Sequence, residues 1–258
     1  MVASRVIAVA NQKGGVGKTT TTINLAASLA KLSQRVLLVD LDPQGNSTSG
    51  VGIVPATVAR SSYSVLVGEV EPLEAIVSTA TEGLDLMPAT RDLTGAEIEL
   101  VSVENREVRL QQALQPIISK YNFILIDCPP SLGLLTLNAL TAGRGVIVPL
   151  QCEYYAMEGL SALLDTLGMV RASLNPGLEI VGVLLTMFDT RNSICHQVAH
   201  EVRSHFDSRV FRTVIPRNVR LSESPSHGKP IIAYDPGSRG AQSYLELAHE
   251  LLNPGGAG

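Results

Sequence analysis

A chain of 258 residues, 45% hydrophobic and 17% charged, can bury a full core, which excludes disorder over most of its length. No apolar run approaches the ~18–20 residues of a membrane span, and the five-residue run near the start is too short for a signal-peptide core. Net charge is −4, so the surface as a whole does not advertise polyanion binding, and three cysteines make no even disulfide framework, which points to a reducing cytoplasm.

In chain order, strands are expected at 6–9, 36–39, 123–126, 146–148 and 180–185, each apolar throughout rather than alternating. Residues 84–87 and 214–215 are weaker strand candidates. Helices are expected at 19–32, where Ile23, Ala26, Leu29 and Ala30 share a face, and at 106–117, 157–172, 194–206 and 241–252. Such alternation implies an α/β fold, a mostly parallel twisted sheet with helices on both faces. With no repeat, low-complexity block or linker, residues 1–258 read as one domain. The stretch 44–64, rich in Gly, Ser and Thr, is the loosest. A flexible tail at 253–258 is expected from Asn253-Pro254-Gly255-Gly256.

The first strand runs into Asn11-Gln12-Lys13-Gly14-Gly15-Val16-Gly17-Lys18-Thr19-Thr20, where a helix begins. Glycines let backbone N–H groups turn inward around a β-phosphate, and a helix N-terminus adds the positive end of its dipole. Lys18 then reaches the β- and γ-phosphates and the Thr19 hydroxyl ligates Mg²⁺. Gly14, Gly15, Val16, Gly17 and Thr20 complete the cradle. The general P-loop pattern wants a glycine where this chain has Gln12. The strand–loop–helix context and a second lysine, Lys13, weigh more than that departure, and more than a plain glycine turn.

The second strand ends in Asp40-Leu41-Asp42-Pro43, at the carboxyl edge where a parallel sheet opens its ligand crevice. Asp40 and Asp42 lie two apart and point the same way, which suits a Mg²⁺ shell and an oriented water; in isolation they also suit a turn. Phe123-Ile124-Leu125-Ile126-Asp127 is a Walker B pattern that puts Asp127 near Mg²⁺, through water. A guanine site would favour Asn-Lys-x-Asp after a late strand. Thr186-Met187-Phe188-Asp189 keeps only the aspartate, so ATP is the expected nucleotide.

Lys13 followed by Gly-Gly-x-Gly-Lys-Thr resembles the deviant Walker A loop of the ParA/MinD group of ATPases. Likeness to the ParA/Soj chromosome-partition branch covers nearly the whole chain. It includes 39–50, 152–159, 215–223, Ser226-His227-Gly228-Lys229-Pro230 and Tyr234-Asp235-Pro236. The resemblance implies that Lys13 crosses a dimer interface to the partner's nucleotide. A second positive charge there resembles an arginine finger, which contributes ~10³–10⁵ in rate. It also implies that Asp42 positions the attacking water and that Pro216 and Asn218 lie against the adenine. The implied cycle runs from Mg²⁺ and ATP binding through homodimerisation to non-specific binding of double-stranded DNA at the nucleoid. A ParB-type centromere-binding partner then stimulates hydrolysis. The implied DNA-binding residues are Arg191 and Arg220. Because the chain opens on its first strand, the N-terminal DNA-reading domain of larger plasmid ParA proteins is expected to be absent, and operator-based autoregulation with it.

Charge distribution agrees with that placement. Between 191 and 239 stand eight basic and four acidic residues, so the segment is +4 and the remainder −8. A basic region on an acidic protein is a candidate polyanion footprint, though scattered surface arginines give the same count. His196 and His200 share a helix face as zinc ligands do, but no Glu follows His196, so a surface helix is expected instead. Cys128 and Cys152 invite comparison with the cluster-bearing nitrogenase iron protein; buried thiols are expected, since Cys128 directly follows Asp127. A MinD-like membrane ATPase would need a basic amphipathic C-terminal helix, whereas 243–252 carries Glu246 and Glu250 and no Lys or Arg. No membrane partner is expected. A nitrogenase-like reductase or an ATP-dependent ligase would need a cluster or substrate pocket that the sequence does not reveal.

Overall fold

Strands that are apolar at every position must be covered on both faces. The computed structural model, which describes residues 4–153 and 156–253, covers them so. Among these residues a seven-stranded sheet has β1 (Arg5–Val9) between β5 (Phe123–Asp127) and β6 (Gly145–Gln151), all parallel. Beyond β5 follow β2 (Val36–Asp40), β4 (Leu84–Met87) and β3 (Val77–Ser78); beyond β6 lies β7 (Glu179–Thr186). Only β3, at the edge, is antiparallel.

Alternate residues of each strand feed two cores. Val6, Ala8, Leu37, Val39, Ile124 and Ile126 face one layer; Ile7, Val9, Leu38, Phe123 and Leu125 face the other. The second layer is closed by α1 (Lys18–Lys31) together with α10 (Val219–Glu223), α11 (Ile231–Tyr234) and α12 (Arg239–Leu252). Tyr244, Leu247, Ala248 and Leu251 of α12 are buried there, and the Tyr244 hydroxyl meets that of Thr21 at 3.2 Å. The first layer is closed by α3 (Ser62–Val67), α4 (Pro72–Ala75), α5 (Leu93–Glu99), α6 (Arg109–Leu114), α7 (Leu134–Ala142), α8 (Ala156–Ser173) and α9 (Ser193–Phe206).

Three expectations need correction. Residues 214–215 form no strand; Phe188 and Pro216 make an isolated bridge, and a proline without an N–H cannot extend the ladder. The helix expected at 106–117 is a 3₁₀ turn, Arg106–Val108, followed by the short α6, which stops before Pro116, a residue with no N–H to continue the helical hydrogen bonds. Residues 44–64 are ordered, with α2 (Asn46–Gly50), a 3₁₀ turn at Pro55–Thr57 and the start of α3. The expectation for the tail falls outside the described residues from 254 onward, as do Tyr154 and Tyr155 of the 152–159 motif.

Candidate nucleotide site

Residues 10–17 leave the carboxyl end of β1 and turn directly into α1. Asn11 braces the turn: its amide donates to the Pro149 carbonyl at 2.8 Å, and its Oδ1 accepts from the Lys13 N–H at 3.0 Å. Gly15 and Gly17 adopt φ of +75° and +89°, left-handed conformations that cost other residues steric strain. Gly17 caps α1 without a side-chain partner, so the first N–H groups of the helix are left for a ligand.

The two lysines of the loop take different positions. Lys18 is 6% exposed, and its ammonium donates to the Lys13 carbonyl at 3.1 Å. Burial pulls its pKa below the ordinary lysine value, opposed first by the charge of Asp127 and less by Cys128 and Asp42. Lys13 stands at the rim, half-exposed, with Nζ 3.1 Å from Glu153 Oε2.

Parallel pairing sets Asp127 of β5 beside Asp40 of β2. Asp40 is fully buried; Oδ2 accepts from the N–H and the hydroxyl of Thr48, both at 2.8 Å, and Oδ1 accepts from the Asp42 N–H at 3.1 Å. Asp127 accepts from the hydroxyls of Ser47 at 2.8 Å and Thr22 at 3.1 Å. Burial pushes both carboxyls above the usual range; the charge of Asp127 adds to the shift of Asp40, while hydrogen bonds from Ser47 and Thr19 pull Asp127 partly back. Asp42 is 6% exposed and accepts from the Gln44 N–H at 2.9 Å.

Asp127 and Asp42 act on the one buried ammonium, with Asp40 paired beside Asp127, and a divalent cation would add positive charge among these carboxyls. Oxygen donors suit Mg²⁺, which binds through a few protein ligands together with water and phosphate oxygens. Among the described residues no group of three His, Cys, Asp or Glu forms a protein-only metal cage. Thr19, whose hydroxyl bonds Asp127, and Asp127 itself are oxygen donors of the kind that Mg²⁺ takes alongside a phosphate.

Next to the loop lies a cavity of about 570 Å³ whose lining includes Gly17, Thr20, Thr186, Met187, Pro216 and Asn218. The Asn218 Oδ1 caps α10 by accepting from the Arg220 N–H at 2.9 Å. Arg220 and Arg191 lie on the surface and both have acid partners. Arg220 is 2.8 Å from Glu223 and 3.4 Å from Asp235, and Arg191 is 2.9 Å from Asp189. His196 bonds the Thr190 carbonyl at 2.9 Å and packs edge-on against Phe188. Cys128, Cys152 and Cys195 are all buried free thiols.

Sequence reasoning missed Asn11, Thr22, Ser47, Thr48, Glu153 and Thr186. Its one available signal was position: Ser47 and Thr48 follow a strand-end aspartate by a single short turn.

This fold and site define a P-loop nucleoside triphosphatase. Residues 4–180 match a family model described as an AAA domain. The chain is 58% identical over 251 residues to the sporulation initiation inhibitor protein Soj of Bacillus subtilis, covering 97% of this chain and 99% of that one. To the chromosome partitioning protein ParA of Myxococcus xanthus it is 57% identical, covering 96% and 88%. Among solved structures, cobyrinic acid a,c-diamide synthase from Mycobacterium smegmatis with bound ADP and magnesium is similar, with 42% identity, a TM-score of 0.85 and 96% and 94% coverage. The chain belongs to the Soj/ParA family of chromosome-partitioning ATPases.

Proposed function

We propose that this protein is the ATP-driven switch of a DNA-segregation system, in which Mg²⁺·ATP joins two copies and the dimer holds DNA until hydrolysis. The chain is an ATPase that uses ATP with Mg²⁺. Residues 1–258 act as one domain in the cytoplasm, at the nucleoid. The observation that carries the reading is the division of labour in one loop: Lys18 is buried beside the carboxyls, and Lys13 stands at the rim. A rim lysine suits a second copy's phosphates better than its own.

In this reading Lys18 and residues 14–20 bind the phosphates, Thr19 and Asp127 hold Mg²⁺, and Pro216 and Asn218 bound the adenine. Asp42 orients the attacking water. Asp40, with three donors already on its oxygens, belongs to the metal site as the group that fixes Asp42 and α2 beside it. Arg191 and Arg220 contact DNA phosphates. A membrane role is disfavoured because α12 spends its apolar face on α1 and the sheet.

The name of the M. smegmatis structure supports a second reading, amide synthesis. The higher identity to partition proteins over nearly the full chain favours segregation. Turnover of ATP should be slow alone and rise when DNA and a ParB-type protein are both added. Turnover that responds only to an amide nitrogen donor would favour the synthase instead.

A further inference from the structure

Thr186 ends β7 with its side chain buried, and its hydroxyl donates to the Val16 carbonyl oxygen at 2.8 Å. In one trans peptide the carbonyl oxygen and the following N–H point in opposite directions. The bond therefore sets the plane of the Val16–Gly17 peptide: with the oxygen turned to β7, the Gly17 N–H turns into the concavity of the loop. Gly17 itself resists no rotation of that plane, because a residue without Cβ tolerates positive and negative φ alike. Val16 is 1% exposed, so a carbonyl deprived of this donor must rotate to find another.

The same strand end carries the base side of the cavity. The Ile215 N–H donates to the Leu185 carbonyl at 2.9 Å and the Phe188 N–H to the Ile215 carbonyl at 3.0 Å. Met187, between them, turns the chain out of the strand with φ +50° and lines the cavity beside Thr186. One hydroxyl thus links the phosphate loop to the segment against which a base would lie.

We infer that Thr186 is a positioning residue for the nucleotide: its hydroxyl locks the Val16–Gly17 peptide with the N–H toward the phosphates. The inference rests on the ATPase reading above and adds a group outside the loop to the machinery that shapes it. A cradle N–H grips the phosphate alike in ground and transition states, so its loss falls on KM rather than kcat.

Thr186→Val keeps the shape and removes the donor, whereas Thr186→Ser keeps the donor and removes the methyl. Thr186→Val should raise KM for Mg²⁺·ATP and Kd for a fluorescent ADP analogue about tenfold, the effect of one unsatisfied buried acceptor. Its kcat should stay within about twofold, and Thr186→Ser should match wild type within about twofold throughout. A valine variant with wild-type KM overturns the inference. So does a serine variant as impaired as valine, since shape would then matter and the hydroxyl would not. If valine does not fold, Thr186→Ala is the second hydroxyl-free variant and faces the same two outcomes. Failure of the wild type to turn over Mg²⁺·ATP in this assay would instead sink the ATPase reading.

Discussion

Lys13 and Lys18 are five positions apart, yet their surroundings predict different losses. The buried Lys18 faces the charges of Asp127 and Asp42 and donates to a carbonyl, and a phosphate would be its natural partner. Lys18→Ala should abolish nucleotide binding by equilibrium titration. Lys13→Ala removes a rim charge and an exposed ion pair, and such pairs contribute little to stability. It should keep ATP affinity and lose most hydrolysis, about 10³-fold by analogy with an arginine finger. Equal loss of affinity in both variants would remove the distinction. Asp42→Ala should leave phosphate binding intact while the water loses its orienting group. Light scattering should then find a dimer that persists in ATP, and a monomer under those conditions would count against the role given to Asp42.

Elements add constraints that single residues do not reveal. Glu250 on α12 accepts from the Arg212 N–H at 2.8 Å and from the N–H and hydroxyl of Thr213 at 3.0 and 2.7 Å. Burial alone would raise its pKa, but these bonds hold it below the usual glutamate value. A depressed carboxyl pKa means stability that is present above the unfolded value and lost as pH falls through the folded one. Glu250→Gln should therefore cost about 1–2 kcal/mol at pH 7, and the difference should fade in acid titrations below about pH 4.5. A gap independent of pH would assign the loss to packing. The central strands were legible in the sequence because burial on both faces leaves an uninterrupted apolar run. Helix α7 was not, since Leu134-Leu135-Thr136-Leu137-Asn138-Ala139-Leu140 is apolar nearly all round and shows no helical period. Residues 44–64 resembled loop for a different reason. Their small hydroxyl residues read as turn formers, whereas Ser47, Thr48 and Ser62 are buried donors to Asp127, Asp40 and the Asp40 carbonyl. The phosphate loop and its aspartates were legible because local spacing carries them. Glu153 and Thr186 were not, because each meets the loop only through the fold.

At the scale of the whole molecule, an acidic protein must gather its positive charge to hold DNA. The proposed footprint is the segment 191–239, with eight basic and four acidic residues, yet Arg191 and Arg220 each rest on acids within the same chain. Exposed pairs of this kind exchange readily for phosphate, and one copy offers few such contacts. In the proposed cycle two copies would double them, which would tie DNA binding to ATP through dimerisation. The most direct test of this account is affinity for a random-sequence duplex, measured across a salt series with ADP, ATP and a slowly hydrolysed analogue. Binding should appear with ATP and the analogue only, be indifferent to sequence, and fall steeply with salt, by about −0.9 in log–log slope per phosphate neutralised. Arg220→Glu should weaken it for every sequence and flatten the slope by roughly two per dimer, while ATP binding and dimerisation persist. Equal binding in ADP, selectivity for one site, or an unchanged slope in Arg220→Glu would contradict the account.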